Sequence, residues 1–192
     1  MCWWQVRLLA SWWGGITWLL TQKYTDVGPV ELIHLGEEFP TITGMTLAGQ
    51  SLTIPDEFAG RVVLLMMADS YGARAQIEEW ANYVTMRYAD LPDLSYYQVA
   101  LISGIGTIMR HAIDAAMVRG TPESVHSHVL TVYGDLRGVR RRLGMSGLPQ
   151  AYLYVLGRTG RVAWRLKGQL DEESKIKLDE ALVNQGIESK EG

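Results

Sequence analysis

The sequence predicts an α/β domain of three layers, in which a mixed central sheet carries helices on both faces. An uninterrupted apolar run, Val62–Ala68, is typical of a strand that is buried on both faces. Strands and helices alternate from this run to residue 143, and a hairpin and a closing helix follow. This order calls for a sheet that combines parallel crossovers with an antiparallel hairpin.

The spacing of apolar residues predicts the elements of the first half. Phe39–Thr53 contains two short extended pieces around a turn at residues 48–50. A helix is predicted from about Gly72 to Tyr88, because its apolar residues recur at helical spacing, and Ser70 is placed to cap it. The apolar face of this helix consists of Ile77, Trp80, Ala81, Val84 and Tyr88.

Two further strands and two further helices are predicted before the hairpin. Tyr97–Ser103 is the second central strand, and the helix that follows ends at Gly120-Thr121-Pro122. A short strand, His128–Val132, then leads to a helix from Asp135 to Leu143 that the next glycine stops. The predicted inner face of the first of these two helices consists of Ile108, Met109, Ala112, Ile113, Ala116 and Met117.

A hairpin and an amphipathic helix close the domain. The strands Ala151–Leu156 and Arg161–Leu166 are joined by a turn at residues 157–160. Alternation on the second strand predicts one buried face and one basic, solvated face. The last helix is predicted from about Asp171 to Asn184. Its apolar contacts are expected to be Ile176, Leu178, Leu182 and Val183.

Composition excludes several classes of function. The 192 residues fit one domain plus tails, and a net charge of −3 gives no overall attraction to nucleic acid. The one cysteine, Cys2, excludes an internal disulfide and a cysteine-rich zinc site. Neither a P-loop nor a dinucleotide fingerprint is present. We therefore expect no cofactor, no metal and no nucleic-acid partner.

The N-terminal segment is rich in tryptophan. Its uncharged run, Leu8–Leu20, is shorter than the about 20 residues that a membrane span needs. It suits a contact with a membrane surface through residues 3–20, a processed targeting segment, or a helix docked on the domain or on a partner. We divide the chain into this segment with its linker (1–35), the domain (36–185) and a polar tail (186–192).

Two pairs of polar residues are candidate ligand sites. Tyr71 and Arg74 lie at the N-terminus of a predicted helix, where free amides and the helix dipole favour an anion such as a carboxylate or a phosphate. The alternative is a plain surface loop. His126 and His128 lie on one side of an extended segment and are either the beginning of a metal site or a polar strand entry.

A dense basic cluster lies on the short helix before the hairpin. It suits contact with an acidic partner or with anionic lipid headgroups, or it is a solvated face that nearby acids balance. The cluster consists of Arg137, Arg140, Arg141 and Arg142.

The order of elements over residues 61–168, with Leu148-Pro149 before the hairpin, resembles the thioredoxin-like superfamily, in the branch with peroxiredoxin-like and thiol-disulfide carrier domains. There, a proline at this place is usually cis and faces the active-site loop, so the resemblance implies that Pro149 lies against Tyr71. It also implies that residues 68–74 lie where this fold carries its nucleophile. The residues in place of the Cys-x-x-Cys motif are Tyr71, Gly72, Ala73 and Arg74.

A closer resemblance rests on the order of four stretches, Gln76–Trp80, Thr121–Ser124, the hairpin residues Tyr152–Val155 with Gly160–Trp164, and Asp171–Glu173. Over residues 36–184 this order is similar to the mitochondrial F-type ATP synthase assembly chaperones, which are thioredoxin-like proteins without catalytic cysteines. The resemblance implies an ATP synthase subunit as client and a place on the matrix side of the inner membrane. A bacterial membrane or cytoplasmic location stays open.

From these features we expect a non-enzymatic, redox-inactive assembly factor without catalytic residues. Its client segment is expected to bind in the groove formed by the degenerate loop, Leu148 and Pro149. The arginine cluster and Trp164 are the expected second interaction surface. The alternative is a peroxiredoxin-like or thiol-disulfide oxidoreductase relative with residual or non-cysteine redox activity, or one that uses Cys2.

Overall fold

The structure is a computed structural model that describes residues 32–104, 108–145 and 148–190. Its centre is a mixed sheet of seven strands in the order β2-β1-β5-β4-β3-β6-β7. The predicted fold class, an α/β mixed sheet with helices on both faces, is confirmed. The strands are β1 Ile42–Thr46, β2 Ser51–Ile54, β3 Val62–Ala68, β4 Leu94–Ile102, β5 Val129–Tyr133, β6 Tyr152–Leu156 and β7 Val162–Lys167.

The pairing of the strands brings several loops to one edge of the sheet. β3, β4 and β5 are mutually parallel, whereas β6 runs antiparallel to β3. The carboxyl ends of the three parallel strands therefore share an edge with the start of β6. The loop after β3 and the residues before β6 both lie at this edge, where open α/β sheets commonly bind ligands.

Four α-helices belong to the described part of the chain. They are α1 Arg74–Tyr88, α2 Arg110–Gly120, α3 Arg137–Arg142 and α4 Glu172–Val183. α1 and α4 pack on one face of the sheet through residues such as Trp80, Leu178 and Leu182. The opposite face packs against Leu136, Val139 and Leu143, in and beside α3. β3 is buried between the two layers, as its unbroken apolar run predicts.

Polar contacts fix α1 against α4. The carboxylate of Asp179 on α4 accepts hydrogen bonds from the hydroxyls of Tyr83 (2.7 Å) and Tyr88 (2.6 Å) on α1. Arg87 forms an ion pair with the same carboxylate at 3.2 Å. The indole N–H of Trp80 donates to the carbonyl oxygen of Gly168 at 3.1 Å. These bonds satisfy the polar atoms that the two helices bury.

Two predicted apolar contacts are wrong. The expected inner face of the helix after β4 is not buried: α2 has no buried residue, and Ile108 is 85% exposed. α2 is instead held by polar contacts at its ends, from Tyr133 to Asp114 (2.7 Å) and from Arg74 to Gly120 (3.0 Å). On α4, Ile176 and Val183 are exposed, because the neighbouring helix meets only one side of it.

The ends of the described domain contact its body. The segment before β1 pairs with β7, since the Gly36 amide donates to the Val162 carbonyl oxygen and Glu38 forms a bridge with Arg161. After α4, Ile187 is buried against the α1 layer. Residues 1–31, including Cys2 and the predicted membrane contact at 3–20, lie outside the described residues. Within the described ranges, no helix is both long and apolar enough to cross a membrane.

Candidate functional site

The loop after β3 forms a tight turn into α1. Ser70 has an extended backbone, and its hydroxyl accepts a hydrogen bond from the Gly72 amide at 3.3 Å. Residues Tyr71–Ala73 form one 3-10 turn, and the α-helix begins at Arg74. The predicted cap therefore serves the short turn rather than α1 itself. This turn places the side chain of Tyr71 in solvent, 84% exposed, while Ala73 is buried.

Pro149 lies directly against this turn. A Cβ atom built on Gly72 would be 2.7 Å from the Cβ of Pro149, closer than real Cβ contacts come. Residue 72 must therefore be glycine because a Cβ atom there would collide with Pro149, and not because its backbone is left-handed. The structure brings Pro149 next to the loop at residues 71–74. In the sequence, Pro149 lies 75 positions after Arg74, the last residue of that loop. Among the described residues the cis peptide bond is Ile54–Pro55, not the bond before Pro149 that the resemblance implied.

Gln76 ties α1 to the chain around Pro149. Its amide oxygen accepts a hydrogen bond from the Ala151 N–H at 2.9 Å, and its amide nitrogen donates to the Pro149 carbonyl oxygen at 3.4 Å. The Gln76 side chain therefore forms hydrogen bonds with two backbone groups, the Ala151 N–H and the Pro149 carbonyl oxygen, that could otherwise pair with another strand. Sequence reasoning missed this role, because a half-exposed glutamine on the first turn of a helix carries no pattern that distinguishes it.

Leu148, the residue before Pro149, is a second exposed apolar side chain near the turn. Its side chain is 59% exposed, and its carbonyl oxygen accepts a hydrogen bond from the Gln150 amide at 2.8 Å. The Leu148 N–H has no hydrogen-bond partner in the part of the chain that the structure describes. An exposed aromatic ring, an exposed leucine and an unpaired backbone donor are thus grouped around Pro149. Such a group can contact an extended polypeptide through both side chains and backbone.

Arg74 is engaged within the protein. Its Nε donates to Glu78 at 2.6 Å and its Nη2 to the Gly120 carbonyl oxygen at 3.0 Å. The hydrogen bond with Glu78 is the main cause that raises the pKa of Arg74 above its usual value. An anion at the helix N-terminus would have to compete with these partners for the guanidinium group.

A buried ion pair lies beneath the loop. Asp69 directly follows β3; its side chain is 1% exposed and lies 3.8 Å from the Nε of Arg140 on α3. Arg140 also donates from Nη2 to the Leu101 carbonyl oxygen at 2.9 Å. The sequence analysis included Asp69 in the range 68–74 but gave it no role. One sequence feature could have pointed to Asp69: it is a charged residue between a strand that is buried on both faces and a candidate loop.

Three of the four arginines in the predicted cluster, Arg137, Arg141 and Arg142, are exposed, and Arg140 is not. Arg140 points inward, Arg137 pairs with Asp135 at 2.6 Å, and Arg142 lies 4.0 Å from Glu37. The hydrogen bond from Arg137 lowers the pKa of Asp135 to about 2. Arg141 forms no close ion pair in the described ranges, but its charge also contributes to lowering the pKa of Asp135. The half-buried Trp164 packs against the α1–α4 layer, on a different part of the molecule from α3.

The two histidines bind backbone rather than each other. His126 Nε2 lies 2.9 Å from the Thr121 carbonyl oxygen, and His128 Nδ1 lies 3.1 Å from that of Tyr96. The His128 ring also stacks on the Tyr96 ring, with centroids 4.4 Å apart. No group of three metal-ligating side chains occurs among the residues described. This arrangement favours the polar strand entry over a metal site.

No protein-family model matches the chain, and no curated protein matches it. Solved structures do share its fold. A protein assigned as a disulfide isomerase from Bacteroides thetaiotaomicron has a TM-score of 0.55 at 14% identity, covering 81% of this chain and 91% of that one. The chain has a thioredoxin-like fold. A thio-disulfide isomerase from Thermus thermophilus gives 0.51 at 16% identity, with coverages of 81% and 99%.

A peroxiredoxin-like protein from Aquifex aeolicus has the same thioredoxin-like fold, with a TM-score of 0.50 at 12% identity and coverages of 81% and 90%. These likenesses contradict the prediction that the chain is not an enzyme, because thiol-disulfide isomerases are enzymes. That prediction rested on the sequence having one cysteine and no catalytic pair. Nothing in the comparisons supports loss of activity or an ATP synthase assembly role.

Proposed function

We propose that the chain is a thioredoxin-like relative of the thiol-disulfide oxidoreductases and peroxiredoxins that binds an extended segment of a protein substrate beside Pro149. The observation that carries the proposal is the packing of the 71–73 turn against Pro149, with the side chains of Tyr71 and Leu148 both exposed. The unpaired Leu148 N–H offers one backbone hydrogen bond to the bound segment. Gln76 holds the strand entry in place, which lowers the cost of ordering on binding.

Binding of short fluorescent peptides of extended, largely apolar sequence tests this proposal. We expect the double variant Tyr71→Ser/Leu148→Ser to weaken binding about tenfold or more, because exposed aromatic and apolar anchors carry most of the energy of such contacts. Met86→Ser is the matched control. It removes an equally exposed apolar side chain on α1, about 18 Å further along the helix. The proposal fails if the control and the double variant bind equally.

The thiol of Cys2 is the one thiol that this chain could use for redox chemistry. Because Cys2 is the only cysteine, we expect Cys2→Ser to abolish any thiol-dependent peroxide consumption or disulfide exchange of the purified protein. Peroxide loss and insulin reduction, each measured with a thiol reductant present, provide the readout, with Ser70→Ala as a control that keeps the thiol. Turnover that survives in Cys2→Ser would contradict a thiol mechanism and point to chemistry that does not use sulfur.

The identity of the protein substrate is a separate hypothesis. An ATP synthase subunit is the client implied by the hairpin residues Tyr152–Val155 and Gly160–Trp164, and this rests on the sequence resemblance alone. Cross-linking in native extract, followed by mass spectrometry, tests it with Tyr71→Ser/Leu148→Ser as the negative control. Recovery of no subunit of that complex above the control would exclude this client and leave the binding site itself untouched.

A further inference from the structure

The Asp69 carboxylate is a buried charge that the proposed binding site does not yet use. Its Oδ1 atom has no hydrogen-bond partner, and neither has the Nε of Arg140, in the described part of the chain. The two side chains approach only to 3.8 Å, too far for a direct hydrogen bond. The pair is therefore an ion pair that leaves one donor and one acceptor unsatisfied.

Such a pair is a poor source of stability. Removing a carboxylate from water costs several kcal/mol, and attraction to a cation repays this only when good hydrogen bonds accompany it. Replacement of an ion pair of this kind by neutral groups is often neutral or stabilising. A local arrangement that opposes stability without an evident structural gain is typical of functional sites.

Asp69 brings this unsatisfied acceptor close to the candidate site along the chain. The residue joins β3 to the turn that packs on Pro149, two positions before Tyr71. Only the arginine of the pair reaches solvent, with a quarter of its side chain exposed. Displacement of Arg140 is thus the route by which a ligand would reach the carboxylate.

We propose that Asp69 is a specificity-determining residue, which accepts a hydrogen bond from a basic side chain of the bound segment. This inference rests on the proposed function, since it assigns the charge preference of that same site. A lysine or arginine of the substrate replaces Arg140 as the partner of Asp69 and supplies the missing donor to Oδ1. An acidic side chain at the same position meets the buried carboxylate and is rejected.

Three peptides that differ only at a central lysine, norleucine or glutamate test the inference. We expect the wild-type protein to bind the lysine peptide about tenfold more tightly than the norleucine peptide, and the glutamate peptide most weakly. Asp69→Asn keeps the shape of the side chain and removes its charge. It should bind the three peptides nearly equally, and its urea midpoint should fall less than that of Arg140→Met, because Arg140 keeps contact with solvent and its hydrogen bond to Leu101.

Arg140→Met provides a second, opposite test. It removes the competing cation, so we expect tighter binding of the lysine peptide and a lower urea midpoint, because Asp69 is then left unpaired. If the ion pair had only a structural role, both Asp69→Asn and Arg140→Met would bind the lysine peptide more weakly than the wild type. An unchanged preference of Asp69→Asn for the lysine peptide overturns this inference and leaves the proposed function standing. Failure of the wild type to bind any of the three peptides overturns the proposed function together with it.

Discussion

Asp179→Ala is expected to destabilise the protein by about 2–4 kcal/mol, because it removes the common acceptor of two tyrosine hydroxyls on α1. Tyr88 is almost fully buried, so its hydroxyl would lose its partner where water cannot replace it. The ion pair with Arg87 is partly exposed and adds little. Urea unfolding followed by tryptophan fluorescence or far-ultraviolet circular dichroism measures the effect.

Asp93→Ala is the matched control for this change. Its carboxylate is exposed and pairs with Arg158 at 3.5 Å, so we expect a midpoint close to that of the wild type. Burial first, and then Asp179, raises the pKa of Tyr83 and Tyr88 above the usual 10.0. The protonated hydroxyls of Tyr83 and Tyr88 therefore make their full contribution to the free energy of unfolding below about pH 10, and this contribution falls as the pH rises further. Equal midpoints for the two variants would show that Asp179 does not fix α1.

Gly72→Ala is expected to disrupt the candidate site, because the added Cβ would lie 2.7 Å from Pro149. The turn or the proline must move, and overpacking of this kind costs about 1–3 kcal/mol. We expect peptide binding to weaken by about tenfold, since the turn that presents Tyr71 then shifts relative to Leu148 and Pro149. Fluorescence anisotropy with the apolar peptide and urea unfolding measure both effects.

Gly138→Ala is the control for this substitution. Gly138 lies in α3 with open space around its Cα, so alanine there should be neutral or slightly stabilising. A double-mutant cycle with Pro149→Gly identifies the cause, because it removes the atom that the new Cβ meets. If Gly72→Ala costs as much in the Pro149→Gly background as in the wild type, the close contact is not the reason for the loss.

Local patterns predicted the elements that carry strong apolar periodicity. β3 is an unbroken apolar run, and α1 buries the five residues that its helical spacing predicts. The pattern failed for α2, whose apolar residues have the same helical spacing but no layer to pack against. Periodicity states which residues could share a face, and a neighbouring element decides whether that face is covered.

In the candidate site, too, the sequence predicted some features, and only the packing of distant segments decided others. The resemblance to the thioredoxin-like superfamily implied that Pro149 lies against Tyr71, and in the structure Pro149 lies close to the neighbouring Gly72. Spacing did not reveal that Gln76 would bridge to residue 151, or that the arginines of α3 would point in different directions. These outcomes depend on distances between segments far apart in sequence, and no local pattern encodes them.

The sequence by itself determined the α/β architecture, because burial of alternating and continuous apolar segments leaves few ways to arrange them. It also determined that any thiol chemistry must use Cys2. Only the tertiary structure decided which polar groups are satisfied: among residues 32–104, 108–145 and 148–190, Asp179 has three partners and Asp69 has one, at 3.8 Å. The reason is that hydrogen bonding depends on atomic separations within a few tenths of an ångström, which the packing of distant segments sets.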